Sequence, residues 1–168
     1  MSAREIPIEI RGACCITVAR LRIVRAVLVL LLLGASSFAF AQATPAGLWR
    51  TTDDKTGVVR SLVRIAEVNG QYEGKVEKII NRLPDDDPEH LCRACEGVRK
   101  DKPVIGMTIL WGLKKDGDQY TGGEILDPKN GKIYRCKMKL VDGGKKLEVR
   151  GFIGISLLGR TQTWDREQ

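Results

Sequence analysis

The chain has 168 residues, 28 Lys or Arg against 21 Asp or Glu, and a formal charge of +7. Five basic and two acidic residues fall in the first 41 positions, so the remainder carries 7 − 3 = +4, short of the dense positive footprint of a nucleic-acid binder. Only 5% of the chain is aromatic, so aliphatic side chains must do most of the packing in a single domain of this size.

Residues 1–41 read as a secretory signal peptide. Arg4, Arg11, Arg20, Arg22 and Arg25 form a basic region, Ala26 to Phe40 is an apolar run, and Ala39-Phe40-Ala41 is an A-x-A site with cleavage expected after Ala41. An uncleaved anchor is the alternative, but a spanning helix needs roughly 20 apolar residues and Ala26–Ala41 is shorter. Ser36 stands where a lipid-anchor signal would need cysteine. The basic region is long for such a peptide, and a start near Val18 or Leu21 is an alternative to Met1. The expected mature domain is 42–168, in the periplasm or secreted, with no stable membrane insertion.

That domain opens with Gly47-Leu48-Trp49, then alternates apolar and polar residues in short runs. Val58–Glu67 sets Val59, Val63 and Ile65 against Arg60, Leu62 and Arg64. Asn69-Gly70 signals a hairpin, and Tyr72, Gly74 and Val76 share one face of the strand that follows. Val104–Leu113 is an apolar strand candidate, and Gln119–Leu126 follows the Asp116-Gly117 turn, with Gly122-Gly123 marking a bulge or bend.

The clearest alternation is in the last third. Lys132–Leu140 places Tyr134, Cys136, Met138 and Leu140 opposite Arg135, Lys137 and Lys139, and Lys146–Ile155 places Leu147, Val149, Gly151, Ile153 and Ile155 on one face. Arg160–Arg166, with Gln162 and Trp164, is the last strand. Eight short strands with glycine-rich turns and no amphipathic helix predict an all-β fold, an antiparallel sandwich or barrel; since closure removes the sheet edges, the expectation is a single up-and-down barrel with one long loop.

That loop, Asn81–Pro103, breaks the rhythm, and a connection of about twenty residues without its own structure is usually functional or flexible. It holds His90, the chain's one histidine, and Cys92-Arg93-Ala94-Cys95. In an oxidising compartment the two cysteines read as a local disulfide. Zinc held by His90, Cys92 and Cys95, free thiols, and pairing of Cys136 with a loop cysteine are the other readings. A histidine after the second cysteine, which covalent haem needs, is replaced by Glu96. Cys136 on its apolar face reads as a buried thiol.

Enzyme signatures are missing. The chain has no G-x-S-x-G, no H-E-x-x-H and no phosphate-cradling glycine loop. Asp85–Asp87 and Asp53-Asp54 read as solvated acidic turns, without the glycine and distal glutamate of a calcium loop. No cofactor is indicated.

Two resemblances bear on this reading. Gly47-x-Trp49 with an arginine near the last strand resembles the lipocalin-like barrels, where the tryptophan caps one end and the arginine lies over it; Arg160 and Arg166 are the candidates. The phrases Asp127-Pro128…Gly131-Lys132…Tyr134, Val149-Arg150-Gly151-Phe152-Ile153-Gly154 and Gly159-Arg160-Thr161-Gln162-Thr163-Trp164 resemble the bacterial exported family catalogued as domain of unknown function 2147. The resemblance implies a small exported protein and transfers no catalytic residue. Trp49, Tyr134, Arg150, Arg160, Gln162 and Trp164 are thus the candidate ligand-binding or structural signature. The expected function is non-catalytic binding of a small apolar or amphipathic ligand. The alternatives are an envelope interaction module using the 81–103 loop and, more thinly, a metal- or thiol-dependent enzyme.

Overall fold

The computed structural model describes residues 43–53, 56–84 and 86–167; the segment expected to be a signal peptide, Asp54 and Asp85 lie outside them. Eight strands follow one another: β1 (Gly47–Thr52), β2 (Val59–Val68), β3 (Gln71–Ile79), β4 (Thr108–Asp116), β5 (Gln119–Asp127), β6 (Lys132–Val141), β7 (Lys146–Phe152) and β8 (Gly159–Arg166). Each pairs antiparallel with the next, and β8 returns to β1 to close an up-and-down barrel. Closure satisfies both sheet edges, which an open meander of this length would leave unpaired.

Local chemistry sets the corners. Asn69 and Gly70 both adopt positive φ, 52° and 74°, the requirement of a tight turn that matches strand twist. The β5–β6 register shifts between Tyr120 and Gly123, so Gly122-Gly123 is the expected bulge. The alternation holds on β3, where Tyr72, Gly74 and Val76 are buried, and on β6, where Cys136 and Met138 are buried.

Two boundaries differ from the periodicity. The fourth strand starts at Thr108 instead of Val104, because Val104 N–H donates to the His90 carbonyl and Met107 N–H to the Val104 carbonyl, folding 104–107 into a turn. The seventh ends at Phe152, so Ile153 and Ile155 are exposed in the β7–β8 loop instead of lining the core. Their alternation runs on past the last residue that has a partner strand.

The two barrel ends differ. At one end lie the start of β1, the end of β8 and the short β2–β3, β4–β5 and β6–β7 turns. There Trp49, Ile65, Leu113, Met138, Leu147 and Trp164 are each no more than 2% exposed, and Tyr72 meets Tyr120 edge-on at 5.0 Å between centroids. At the other end are the longer β1–β2, β3–β4, β5–β6 and β7–β8 connections.

The β3–β4 connection is structured, contrary to the expectation of a plain loop. Leu91 bridges to Pro103, Cys92 N–H donates to the Lys102 carbonyl, and Gly97–Arg99 forms a short 3-10 turn. Arg99 stacks over the outward Trp111 ring at 4.7 Å, fixing that turn to the outer wall.

Candidate functional site

The closed end is built around Trp49. Its indole N–H donates to the Pro45 carbonyl at 2.7 Å, and the Arg166 guanidinium covers its ring at 4.2 Å. Arg166 is therefore the capping arginine. Arg160, six positions earlier on the same face, opposite Gly151, lies at the far end of the barrel.

The open end leads into a cavity of about 1210 Å³, bounded by the upper strands and the long loops. It reaches down to Trp164, with Val76, Ile109 and Val149 on its walls. Polar residues share the lining, among them Asp53, Arg60, Asp86, His90, Asp127 and Arg160. Thr51 and Ser61 bring their hydroxyls to 2.8 Å, and Gln162 Oε1 accepts from the Trp164 indole N–H at 3.2 Å. At the rim, Asn130 Nδ2 donates to the Tyr134 hydroxyl at 3.1 Å, and Arg160 and His90 are among the lining residues. The chamber thus combines apolar walls with polar and charged side chains, a concave lining of the kind that holds small molecules.

Of the signature residues, Tyr134, Arg160, Gln162 and Trp164 thus line one cavity. Trp49 sits at the opposite end, below it. Arg150 does not face the interior: it alternates with the inward Val149 and Gly151 and sends its guanidinium to the β7–β8 loop. Thr51 and Ser61 were missing from the candidate set, although counting back by two from Val63 and forward by two from Trp49 puts both on the inner face.

The 81–103 segment forms part of the cavity wall. Asp86 anchors it, accepting from Arg60 Nη2 at 2.6 Å and from the Leu83 N–H at 2.7 Å. Asp87 accepts from the Glu89 and Leu91 N–H groups and from Arg93. Those bonds to Leu91, Arg93 and Glu89 hold its carboxyl below the usual range despite some desolvation. These aspartates are loop anchors, not a free acidic turn.

Cys92 and Cys95 form a disulfide, both sulfurs buried. With the two sulfurs joined, neither is a thiolate for zinc beside His90, and Cys136 remains unpaired and buried. The disulfide segment seats on the β5–β6 turn: Cys92 Sγ lies 3.2 Å from the Pro128 carbonyl oxygen, and a Cβ on Gly131 would run into the Ala94 carbonyl. Burial pushes the Cys136 thiol up to about 12, which removes it as a nucleophile near neutral pH.

This barrel can be compared with known proteins. A family model, described as an uncharacterized protein conserved in bacteria (domain of unknown function 2147), matches residues 47–166. The chain belongs to this family. The matched span runs from the first residue of β1 to the last of β8, so the family's domain is the closed barrel itself. A solved structure, described as protein HP1028 from the human pathogen Helicobacter pylori and as belonging to the lipocalin family, aligns with a TM-score of 0.64 at 20% identity. The alignment covers 75% of this chain and 84% of that chain, a likeness of fold. The fold is a lipocalin-like barrel. No curated protein matches the chain.

Proposed function

We propose that this member of the family is an exported, non-catalytic barrel that holds a small apolar or amphipathic ligand in its open half. The observation that carries the reading is the asymmetry of the interior: one end packed around Trp49, the other a chamber of about 1210 Å³ with Val76, Ile109, Val149 and Trp164 on its walls beside polar and charged side chains. Small eight-stranded barrels can be filled by their own side chains, and this one is filled only below Trp164. Small-ligand pockets run to about 300–1,000 Å³, so the chamber has room for such a ligand.

Export is part of the proposal. The disulfide fits an oxidising compartment, and among the described residues no helix is long and apolar enough to cross a membrane. Direct sequencing of the mature protein tests it: a first residue of Gln42 supports the signal peptide, and an intact Met1 in the envelope fraction rejects it. A thiol-dependent enzyme finds little support, since the described cysteines are either joined to each other or buried.

Native and denaturing mass spectrometry of protein recovered from its own compartment test the ligand. A native mass in excess by a small molecule supports the proposal. The Gly151→Leu variant supplies the control: Gly151 faces inward with Ile125 and Tyr134 about 3.4–3.5 Å from where its Cβ would lie, so a leucine there occupies the chamber. It should keep the fold and lose the extra mass. Equal masses in the parent protein, with no uptake of an added apolar dye, reject the reading.

A further inference from the structure

Ile153, Ile155, Leu157 and Leu158 are 66%, 62%, 82% and 70% exposed in the loop joining β7 to β8, four aliphatic side chains in six residues at the open end. Clusters of this kind on a protein surface mark interaction sites.

The backbone of this loop is secured from within. Arg150 reaches up from the outer face of β7: Nε donates to the Ser156 carbonyl at 2.8 Å, Nη2 to the Leu157 carbonyl at 3.2 Å, and Nη1 to Thr161 Oγ1 at 2.9 Å. Ile153 N–H donates to the Leu158 carbonyl at 3.2 Å, and Leu158 N–H to the Ile155 carbonyl at 3.1 Å. The carbonyls of residues 155–158 therefore all accept hydrogen bonds inside the loop. These four carbonyls need no donor from a partner, which suits hydrocarbon, where none is supplied.

The charge that β6 and β7 carry beneath the loop is basic. In the three ladder rows below it, the outward basic side chains are Arg135, opposite Phe152, and Lys137, opposite Arg150; Arg160, opposite Gly151, is on the inner face. On β6, β7 and β8 no carboxylate enters those rows, the first acid down β7 being Glu148, opposite Lys139; on β5, Glu124 lies opposite Arg135 and leaves Lys137 the more available charge. Aliphatic side chains above a basic collar match the two layers of an anionic bilayer surface, acyl chains and headgroups.

We propose that the β7–β8 loop docks the barrel on an anionic membrane surface, with Leu157 and Leu158 entering the acyl region and Arg135 and Lys137 facing the headgroups. Ile153 and Leu158 also line the cavity, so docking sets the mouth of the chamber against the lipid. The proposal does not rest on a ligand in the barrel, since a filled barrel would dock equally well.

Flotation of the protein, as its own cells process it, with vesicles of phosphatidylcholine alone or mixed with phosphatidylglycerol is the test. The protein should float with the mixed vesicles and much less with the neutral ones. Leu157→Ser and Leu158→Ser should each weaken partitioning about tenfold. Arg135→Gln with Lys137→Gln should lower binding to the anionic vesicles alone. Arg150→Gln, which keeps the apolar side chains and removes the carbonyl donors, should weaken binding to both. A protein that stays unbound to both vesicle types overturns the proposal, as does a Leu157→Ser, Leu158→Ser double variant that floats like the parent. Loss of a dimer in that variant, with flotation unchanged, assigns the loop to a second copy of the chain and overturns it too. Far-ultraviolet dichroism of each variant confirms that the barrel is intact.

Discussion

Arg166 lies over Trp49, its guanidinium carbon 4.2 Å from the ring centre, and its three nitrogens donate to the carbonyls of Gly144, Ala46 and Thr44 at 2.8, 2.9 and 2.7 Å. One side chain thus ties the end of β8 to the β6–β7 turn and to the segment before β1. Desolvation lowers its pKa from the usual arginine value, yet a guanidinium stays charged at any working pH.

Arg166→Ala removes a cation–π contact and three charge-assisted hydrogen bonds, and should lower the unfolding free energy by about 2–4 kcal/mol. Arg166→Lys keeps the charge but not the fork and should recover less than half of that. Urea denaturation reads both; a change in the alanine variant of less than about 0.5 kcal/mol would remove Arg166 from the stabilising role.

Alkali should destabilise the barrel. Burial pushes Cys136 from 9.0 up to about 12; burial and then the Glu67 carboxylate push Tyr72 from 10.0 up to about 12. Both are acids that the folded chain keeps protonated and the unfolded chain ionises earlier. Their contribution is complete below the unfolded values and is lost as pH rises from about 9 to about 12. Denaturation midpoints measured across that range should fall, and less steeply in Cys136→Ala and Tyr72→Phe. Parallel profiles in all three proteins would show that these groups are not the cause.

Reduction of Cys92–Cys95 should loosen a segment, not the barrel. A bond closing so short a loop removes little chain entropy, about 2 kcal/mol on the polymer argument. Hydrogen exchange with and without reductant should show faster exchange within 86–103 and unchanged protection in β5 to β8. Uniform loss of protection would mean that the bond supports the whole fold.

Gly131→Ala should unseat the same segment from the other side. Gly131 has a φ of 70°, and its Cβ would overlap the Ala94 carbonyl, so the turn or the disulfide segment must move. We expect a loss of about 1–3 kcal/mol, most of it from the overlap, since the backbone term alone is about 1 kcal/mol. An unchanged melting temperature would contradict the packing of Ala94 on this turn.

The alternation along Val63, Ile65, Tyr72, Val76, Cys136, Met138, Leu147 and Val149 was legible in the chain because a strand with one buried face writes a period of two into its own residues. The choice between Arg160 and Arg166 was not. Both lie on the same face of β8, and only the pairing of Arg166 with Trp49, on a strand more than a hundred residues away, separates them. The cavity was equally hidden, since Tyr134, Gln162 and Trp164 come together only when the sheet closes. At Ile153 and Ile155 the local pattern spoke for a strand, but no partner strand extends that far. Arg150, on the outer face, gave no local sign that it holds a loop.

Among the described residues, every strand pairing of the barrel joins neighbours in sequence except the last. The β1–β8 seam rests on Trp49 with Arg166 and Arg50 with Asp165, reinforced by Arg50 with Glu167, whereas β7 and β8 pair from Lys146–Asp165 to Phe152–Gly159. Hairpins form early and distant contacts late, because the entropy of bringing remote segments together must be met first. Until that final seam zips, the chain is a curled sheet with no inside. A ligand that needs a continuous wall recognises only the finished molecule, and by binding it favours closure over the open sheet whose bare edges would pair with another chain.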